Sequence, residues 1–160
     1  MAHCDTVSQQ VSFTFTVDRP RDEVYDLIGD LAAHERWCDH FMTDWRIDGD
    51  PRAVGAVLHA KATAPGKYKD IELTVVESSA DRSVETSTSG KDGRRRMSGV
   101  YELKAVGANQ TEITFTNEVL AYSNGVERVL GAPLIRAALR KQSGRAMERL
   151  KEILSSSVAA

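Results

Sequence analysis

The sequence predicts an α+β protein in which one long terminal helix covers the apolar face of a twisted antiparallel sheet. Three observations carry this reading: an opening stretch of strict apolar and polar alternation, about six further short strand patterns between Trp45 and Val119, and a closing segment of helical periodicity. The strands are joined by short turns, which favours antiparallel neighbours, because a parallel pairing needs a crossover of about a dozen residues.

Each element follows from its residues. Val11, Phe13, Phe15 and Val17 alternate with Ser12, Thr14 and Thr16, the period of a half-buried strand. Pro20 suits the first turn of a helix, where its missing N–H has no helical partner. Val24, Leu27, Ile28 and Leu31 recur at helical spacing, so a short amphipathic helix runs from near Pro20 to near Asp30. Ala32 to Trp45, dense in aromatic and histidine residues, reads as a second short helix and a loop. Strands follow at Trp45 to Ile47, Ala56 to Ala62, Ile71 to Glu77, Ser83 to Ser87, Met97 to Lys104 and Glu112 to Val119. Gly49-Asp50-Pro51, Ala64-Pro65-Gly66, Ala80-Asp81-Arg82, Lys91-Asp92-Gly93 and Gly107-Ala108-Asn109 supply the turns. From about Val126 to Leu154, Ile135, Leu139, Met147, Leu150, Ile153 and Leu154 mark a long helix, which Pro133 should kink or interrupt in its first part.

No repeat or linker divides the chain, so residues 1–160 are expected to form one domain with its core in 11–155. A domain of this length buries about 70% of its unfolded surface and needs neither a disulfide nor a metal to fold. The formal charge of -2 provides no field for attracting nucleic acid, which disfavours DNA or RNA as a partner. With only Cys4 and Cys38, neither a disulfide framework nor a paired-cysteine zinc site can be assembled. Met1 to Gln10 lack the basic start and apolar stretch of a secretory signal. No apolar run approaches the roughly 20 residues of a bilayer span. The expectation is a cytoplasmic protein without stable membrane insertion.

The opening strand Val11 to Val17 running into Pro20 and Val24-Tyr25-Asp26-Leu27-Ile28, then Trp37 shortly after the first helix, form a recognisable pattern. It continues with Gly55 before a strand, Thr74-Val75-Val76-Glu77 in the middle, and Thr111-Glu112-Ile113-Thr114 leading to a leucine- and arginine-rich final helix. This pattern resembles the START-like superfamily, often called SRPBCC, and within it the polyketide cyclase and dehydratase-type branch. The resemblance covers Val11 to about Ser155. It implies the helix-grip fold, in which a seven-stranded antiparallel sheet curves around the C-terminal helix and two short helices follow the first strand. Between sheet and helix the family holds a cavity for lipids, polyketides, hormones or other hydrophobic molecules. These are patterns of shape rather than chemical signatures, and the superfamily hosts binding proteins and enzymes alike.

Strand alternation nominates the cavity lining. Ala56, Leu58, Ala60 and Ala62 share one face, which should point inward, leaving Val57, His59 and Lys61 outside and discounting His59 as catalytic. The alanines either leave space or allow close packing. Ile71, Leu73 and Val75 should also point inward, followed by Val84, Thr86 and Thr88, by Met97, Gly99, Tyr101 and Leu103, and by Ile113, Phe115, Asn117 and Val119. Thr86, Thr88, Tyr101 and Asn117 are the polar minority, which either orient a ligand or bond one another. Trp37 and Phe41, four apart, either cover the pocket as an aromatic lid or pack as ordinary core. The candidate ligand-binding set is therefore Trp37, Phe41, Leu58, Ala60, Leu73, Thr86, Thr88, Met97, Tyr101, Phe115 and Asn117.

His34 and His40 flank Cys38 and Asp39, but their spacing of six is not the usual helical ligand pair and no nearby motif completes a zinc site. No nucleophile motif or phosphate-cradling glycine loop occurs, so neither catalytic residues nor a cofactor are assigned. The run Lys91-Asp92-Gly93-Arg94-Arg95-Arg96 reads as a solvated turn. Arg136, Arg140, Lys141, Arg145, Arg149 and Lys151 give the last helix a basic outer face that either meets solvent or approaches an anionic lipid surface. The leading expectation is a carrier, sensor or sequestering protein that buries a small hydrophobic ligand. The alternative is a polyketide cyclase, aromatase or dehydratase-type enzyme using the same cavity, and an interaction module ranks last. Oligomeric state, a homodimer included, does not follow from the sequence.

Overall fold

The computed structural model describes residues 9–62, 70–89 and 91–156. The chain runs through β1 (Gln10–Val17), α1 (Arg21–Ile28), a 3-10 turn (Leu31–His34) and the one-turn α2 (Glu35–Cys38). It continues with β2 (Met42–Asp48), β3 (Val57–Ala62), β4 (Asp70–Ser79), β5 (Arg82–Ser89), β6 (Arg95–Gly107) and β7 (Gln110–Ala121), and closes with α3 (Ala132–Ser156). The seven strands form one sheet in the order β1-β7-β6-β5-β4-β3-β2, every neighbour antiparallel. The first strand closes one edge by pairing with the last, from Gln10 opposite Glu118 to Val17 opposite Thr111. This is the expected helix-grip architecture.

The long helix lies across the sheet's inner face because its apolar residues share one side. Leu139, Ala146, Met147, Leu150 and Leu154 are buried at three- and four-residue spacings, with Ser143 among them. Gly144 permits the close approach of β1, since a Cβ there would stand 3.3 Å from the Phe13 ring. Just before Pro133, Glu127–Gly131 is wound as a π-helix. The proline has no N–H to offer the Val129 carbonyl, so the regular α ladder cannot run through this point.

Two clusters of buried apolar side chains flank the middle of the molecule. The larger joins α1, α2 and the inner sheet face through residues such as Val24, Ile28, Trp37, Leu58, Ile113 and Leu150, and the smaller joins Val11, Val119 and Leu139.

Three details differ from the sequence reading. Pro20 stands just outside α1 as its cap, with Val24 N–H bonding the Pro20 carbonyl at 3.2 Å. The softly assigned stretch resolves into the 3-10 turn, α2 and a β2 that starts at Met42 rather than Trp45. Strand β5 is turned over: Ser83 and Glu85 are buried, whereas Thr86 and Thr88 stand on the opposite face. The register of β4 against β5 shifts between Val75 and Glu77, so the apolar Val84 pairs with outward Glu77 and the inward positions fall to Ser83, Glu85, Ser87 and Ser89. The turn expected at Ala64-Pro65-Gly66 and the residue Cys4 lie outside the described residues.

Candidate functional site

A cavity of about 360 Å³ opens between the inner sheet face and α3, within the size range of small-molecule sites. Its position follows from side-chain size along one row of the sheet. Val75, Glu85, Gly99 and Asn117 are successive cross-strand partners on β4, β5, β6 and β7. At Gly99 the row has no side chain, and an added Cβ would stand 3.3 Å from the Phe115 ring and 3.7 Å from Glu85 Oε2. The next inward residues on β5, Ser87 and Ser89, are also small. Gly99 and the serines of β5 border the space, as does Ala62 at the end of β3, whereas Ala60 of β3 and Ala56 just before that strand are packed in the core.

Of the nominated residues, Phe41, Leu58, Leu73, Met97, Tyr101, Phe115 and Asn117 line this cavity. Trp37 and Ala60 do not: both are buried within the larger cluster, and Trp37 takes the core-packing role, with its indole N–H directed at the Tyr101 hydroxyl oxygen at 3.4 Å. Thr86 and Thr88 are excluded by the register shift. Asn117 bonds across to the helix, donating from Nδ2 to Ser143 Oγ at 3.3 Å.

The group that sequence reasoning missed is Glu85, and its partner is His34. Both are nearly inaccessible, at 6% and 4% exposure, and both border the cavity. The chain delivers His34 there in a defined way. Helix α1 stops at Gly29, where a Cβ would collide with the Tyr25 ring at 2.9 Å. The Asp30 carboxylate then caps the 3-10 turn by accepting from Ala32 N–H at 3.0 Å, and the turn swings His34 inward. Its Nε2 lies 2.8 Å from the Ile28 carbonyl, which can only accept, so Nε2 carries a proton. Its Nδ1 lies 3.1 Å from Glu85 Oε1.

One proton must therefore sit between Nδ1 and Oε1, giving either neutral imidazole with a carboxylic acid or imidazolium with carboxylate, and the pair carries no net charge in both forms. Burial pushes the Glu85 carboxyl up from its usual range while the neighbouring His34 opposes that shift. Trp37 packs against His34 at 4.7 Å between ring centroids, and Tyr101 meets it edge-on at 5.8 Å. Burial also holds the Tyr101 phenol and the Cys38 thiol well above their usual pKa values, so both face the cavity protonated.

His40, by contrast, is committed to structure. Its Nε2–H donates to the Gln142 carbonyl at 3.2 Å and its Nδ1 accepts from Arg149 at 3.3 Å, tying the end of α2 to α3. His59 is on the outer face, 3.0 Å from Asp48 Oδ2. Among the described residues no group of three or more His, Cys, Asp or Glu side chains is arranged to hold a metal ion. The basic run before β6 is more than a solvated turn: Arg95 borders the cavity and forms an ion pair with Glu127 of the π-helical segment. Glu127 Oε2 also accepts the Ser123 N–H at 2.6 Å, and these contacts hold its carboxyl below the usual range against the effect of burial.

The model of the family described as polyketide cyclase / dehydrase and lipid transport matches residues 8–155. The chain belongs to that family. The Zhui aromatase/cyclase of a Streptomyces species superposes with a TM-score of 0.77 at 15% identity, covering 96% of this chain and 97% of that one. A START superfamily protein from Mycobacterium smegmatis gives 0.64 at 13% identity over 91% and 96% of the two chains. Norcoclaurine synthase from Thalictrum flavum, in complex with dopamine and hydroxybenzaldehyde, gives 0.64 at 13% identity over 92% and 86%. These likenesses establish the shared fold of the polyketide cyclase / dehydrase family, and the site chemistry of this member rests on its own residues. No curated protein matches the sequence. The signal that would have found Glu85 is slight: Val75 and Val76 are adjacent apolar residues in an alternating strand, a hint of the irregularity that reverses β5.

Proposed function

We propose that this protein binds a small, mainly hydrophobic molecule in the cavity between sheet and α3, with a polar end of that molecule directed to the His34–Glu85 pair. The observation that carries the reading is the lining itself: apolar walls from Phe41, Leu58, Leu73, Met97, Phe115 and Leu139, and a single buried acid–base pair among them. Burial of apolar ligand surface contributes about 25 cal/mol per Å², less the cost of association. The pair supplies orientation, because a hydroxyl or carbonyl of the ligand gains a partner that bulk water otherwise provides.

The same pair favours a second reading, acid–base catalysis on the bound molecule, in keeping with the family's cyclase and dehydrase members. A neutral pair holding one shared proton can accept a second at Glu85 Oε2 as the first settles on His34 Nδ1, and can return it to another atom of the ligand. The cationic pair so formed would stand beside the anion it has generated, an arrangement that a low-dielectric site stabilises more than water does.

Thermal melting with fatty acids, sterols, quinones and aromatic polyketides separates the readings when the recovered compounds are weighed by mass spectrometry. A ligand at 100 times its dissociation constant adds about 2.7 kcal/mol, roughly 5–10 °C for a chain of this size. A shift with unchanged compound supports binding alone. Conversion that disappears in Glu85→Gln while the shift persists supports catalysis. No shift with any class overturns both.

A further inference from the structure

Four large apolar side chains are concentrated on the segment leading into α3: Val126, Val129, Leu130 and Leu134 are 69%, 73%, 72% and 75% exposed. Their spacing puts them along one stripe of helical surface. The other strongly exposed large apolar residues among those described, Val54, Val76, Val106 and Leu120, are dispersed over separate parts of the sheet and its loops.

Along the chain, the charge that follows Glu127 has one sign. From Arg128 to Met147 the sequence contains Arg128, Arg136, Arg140, Lys141 and Arg145 and no Asp or Glu. Arg128, Arg140, Lys141 and Arg145 are exposed. The one acid within the span of the stripe, Glu127, is already engaged by Arg95 and the Ser123 amide. An apolar stripe flanked by cations is the composition of a helix that lies in a membrane interface. A second copy docking through the same face would oppose like charges, which weighs against self-association there.

We propose that this face docks on the surface of an anionic phospholipid bilayer, with Val126, Val129, Leu130 and Leu134 at the boundary of headgroups and acyl chains and the arginines and Lys141 over the anionic headgroups. Leu134 and its neighbour Ile135 also border the cavity, so docking brings the cavity rim to the lipid. A hydrophobic molecule then passes between bilayer and cavity without crossing bulk water. The docking stands on exposure and charge and does not depend on which molecule the cavity takes.

The test is sedimentation of the full chain with vesicles of phosphatidylcholine alone and of phosphatidylcholine mixed with phosphatidylglycerol. The wild type should sediment with the mixed vesicles only and be released as salt screens the attraction. Val129→Asp with Leu130→Asp, and separately Arg128→Glu with Arg140→Glu, should each weaken binding by about tenfold or more while melting at the wild-type temperature. Retention of the wild type in the supernatant with anionic vesicles overturns the proposal, as does wild-type sedimentation by both variants. A dimer in sedimentation equilibrium that the Asp variant dissociates also overturns it, assigning the stripe to contact between copies.

Discussion

Glu85 shows how much one inward carboxyl changes the behaviour of the molecule. The folded chain holds its proton to higher pH than the unfolded chain, whose carboxyl ionises near about 4.3. From there upward the unfolded state releases a proton that the native state keeps, so this group costs stability as pH rises toward its raised native value. Glu85→Gln keeps a donor toward His34 Nδ1 without that cost. Its melting temperature relative to wild type should therefore be lowest at acid pH and rise toward neutrality, and a gap that is flat with pH would remove the shifted carboxyl from the account. Gly99 sits beside the same group. Gly99→Ala presses a methyl against Phe115 and narrows the cavity over Glu85. It should lower stability by about 1 kcal/mol, roughly 2–4 °C, and shrink any ligand-induced melting shift.

The decisive elements are the irregular ones. The register shift in β4 converts a strand that alternation assigns to threonines into one that presents Glu85, Ser87 and Ser89. The π-helical segment is held to the sheet by Arg95, whose partner Glu127 is largely but not fully withdrawn from water. Arg95→Met should destabilise the chain by less than the roughly 3–5 kcal/mol of a fully buried pair, because both side chains keep some solvent contact. The loss should appear first as faster amide exchange in 123–131, read by hydrogen-exchange mass spectrometry. Uniform change along the chain would mean that the pair acts on global stability and not on this segment.

Across the whole molecule, the first and last strands pair through residues about 100 positions apart and α3 packs on both, so the β1 edge of the sheet forms only when the two ends of the chain meet. The chain should therefore unfold as one cooperative unit. Far-ultraviolet dichroism and the fluorescence of Trp37 and Trp45 should give coincident melting curves, and separated transitions would divide the single domain expected from the sequence. The His34–Glu85 pair belongs to this scale too, since its members come from the 3-10 turn and from β5, which no local interaction joins.

By itself the sequence determined the seven strands, the helix that covers them and most of the apolar lining, because period-two and helical spacing report which side of an element is buried. Leu58, Leu73, Met97, Tyr101, Phe115 and Asn117 were legible for that reason, whereas Phe41, nominated by its helical spacing from Trp37, reaches the cavity from the turn after α2. Only the tertiary structure decided the polar chemistry. The inward face of β5 depends on a shift in its pairing with β4, and alternation along β5 alone follows its one apolar residue, Val84, to the wrong side. Trp37 and Ala60 lie in the larger buried cluster rather than in the cavity wall, a difference that strand and helix spacing alone does not encode. His34 meets Glu85 because the turn capped by Asp30 points the ring at a strand 51 residues away, a contact that no spacing in the sequence encodes.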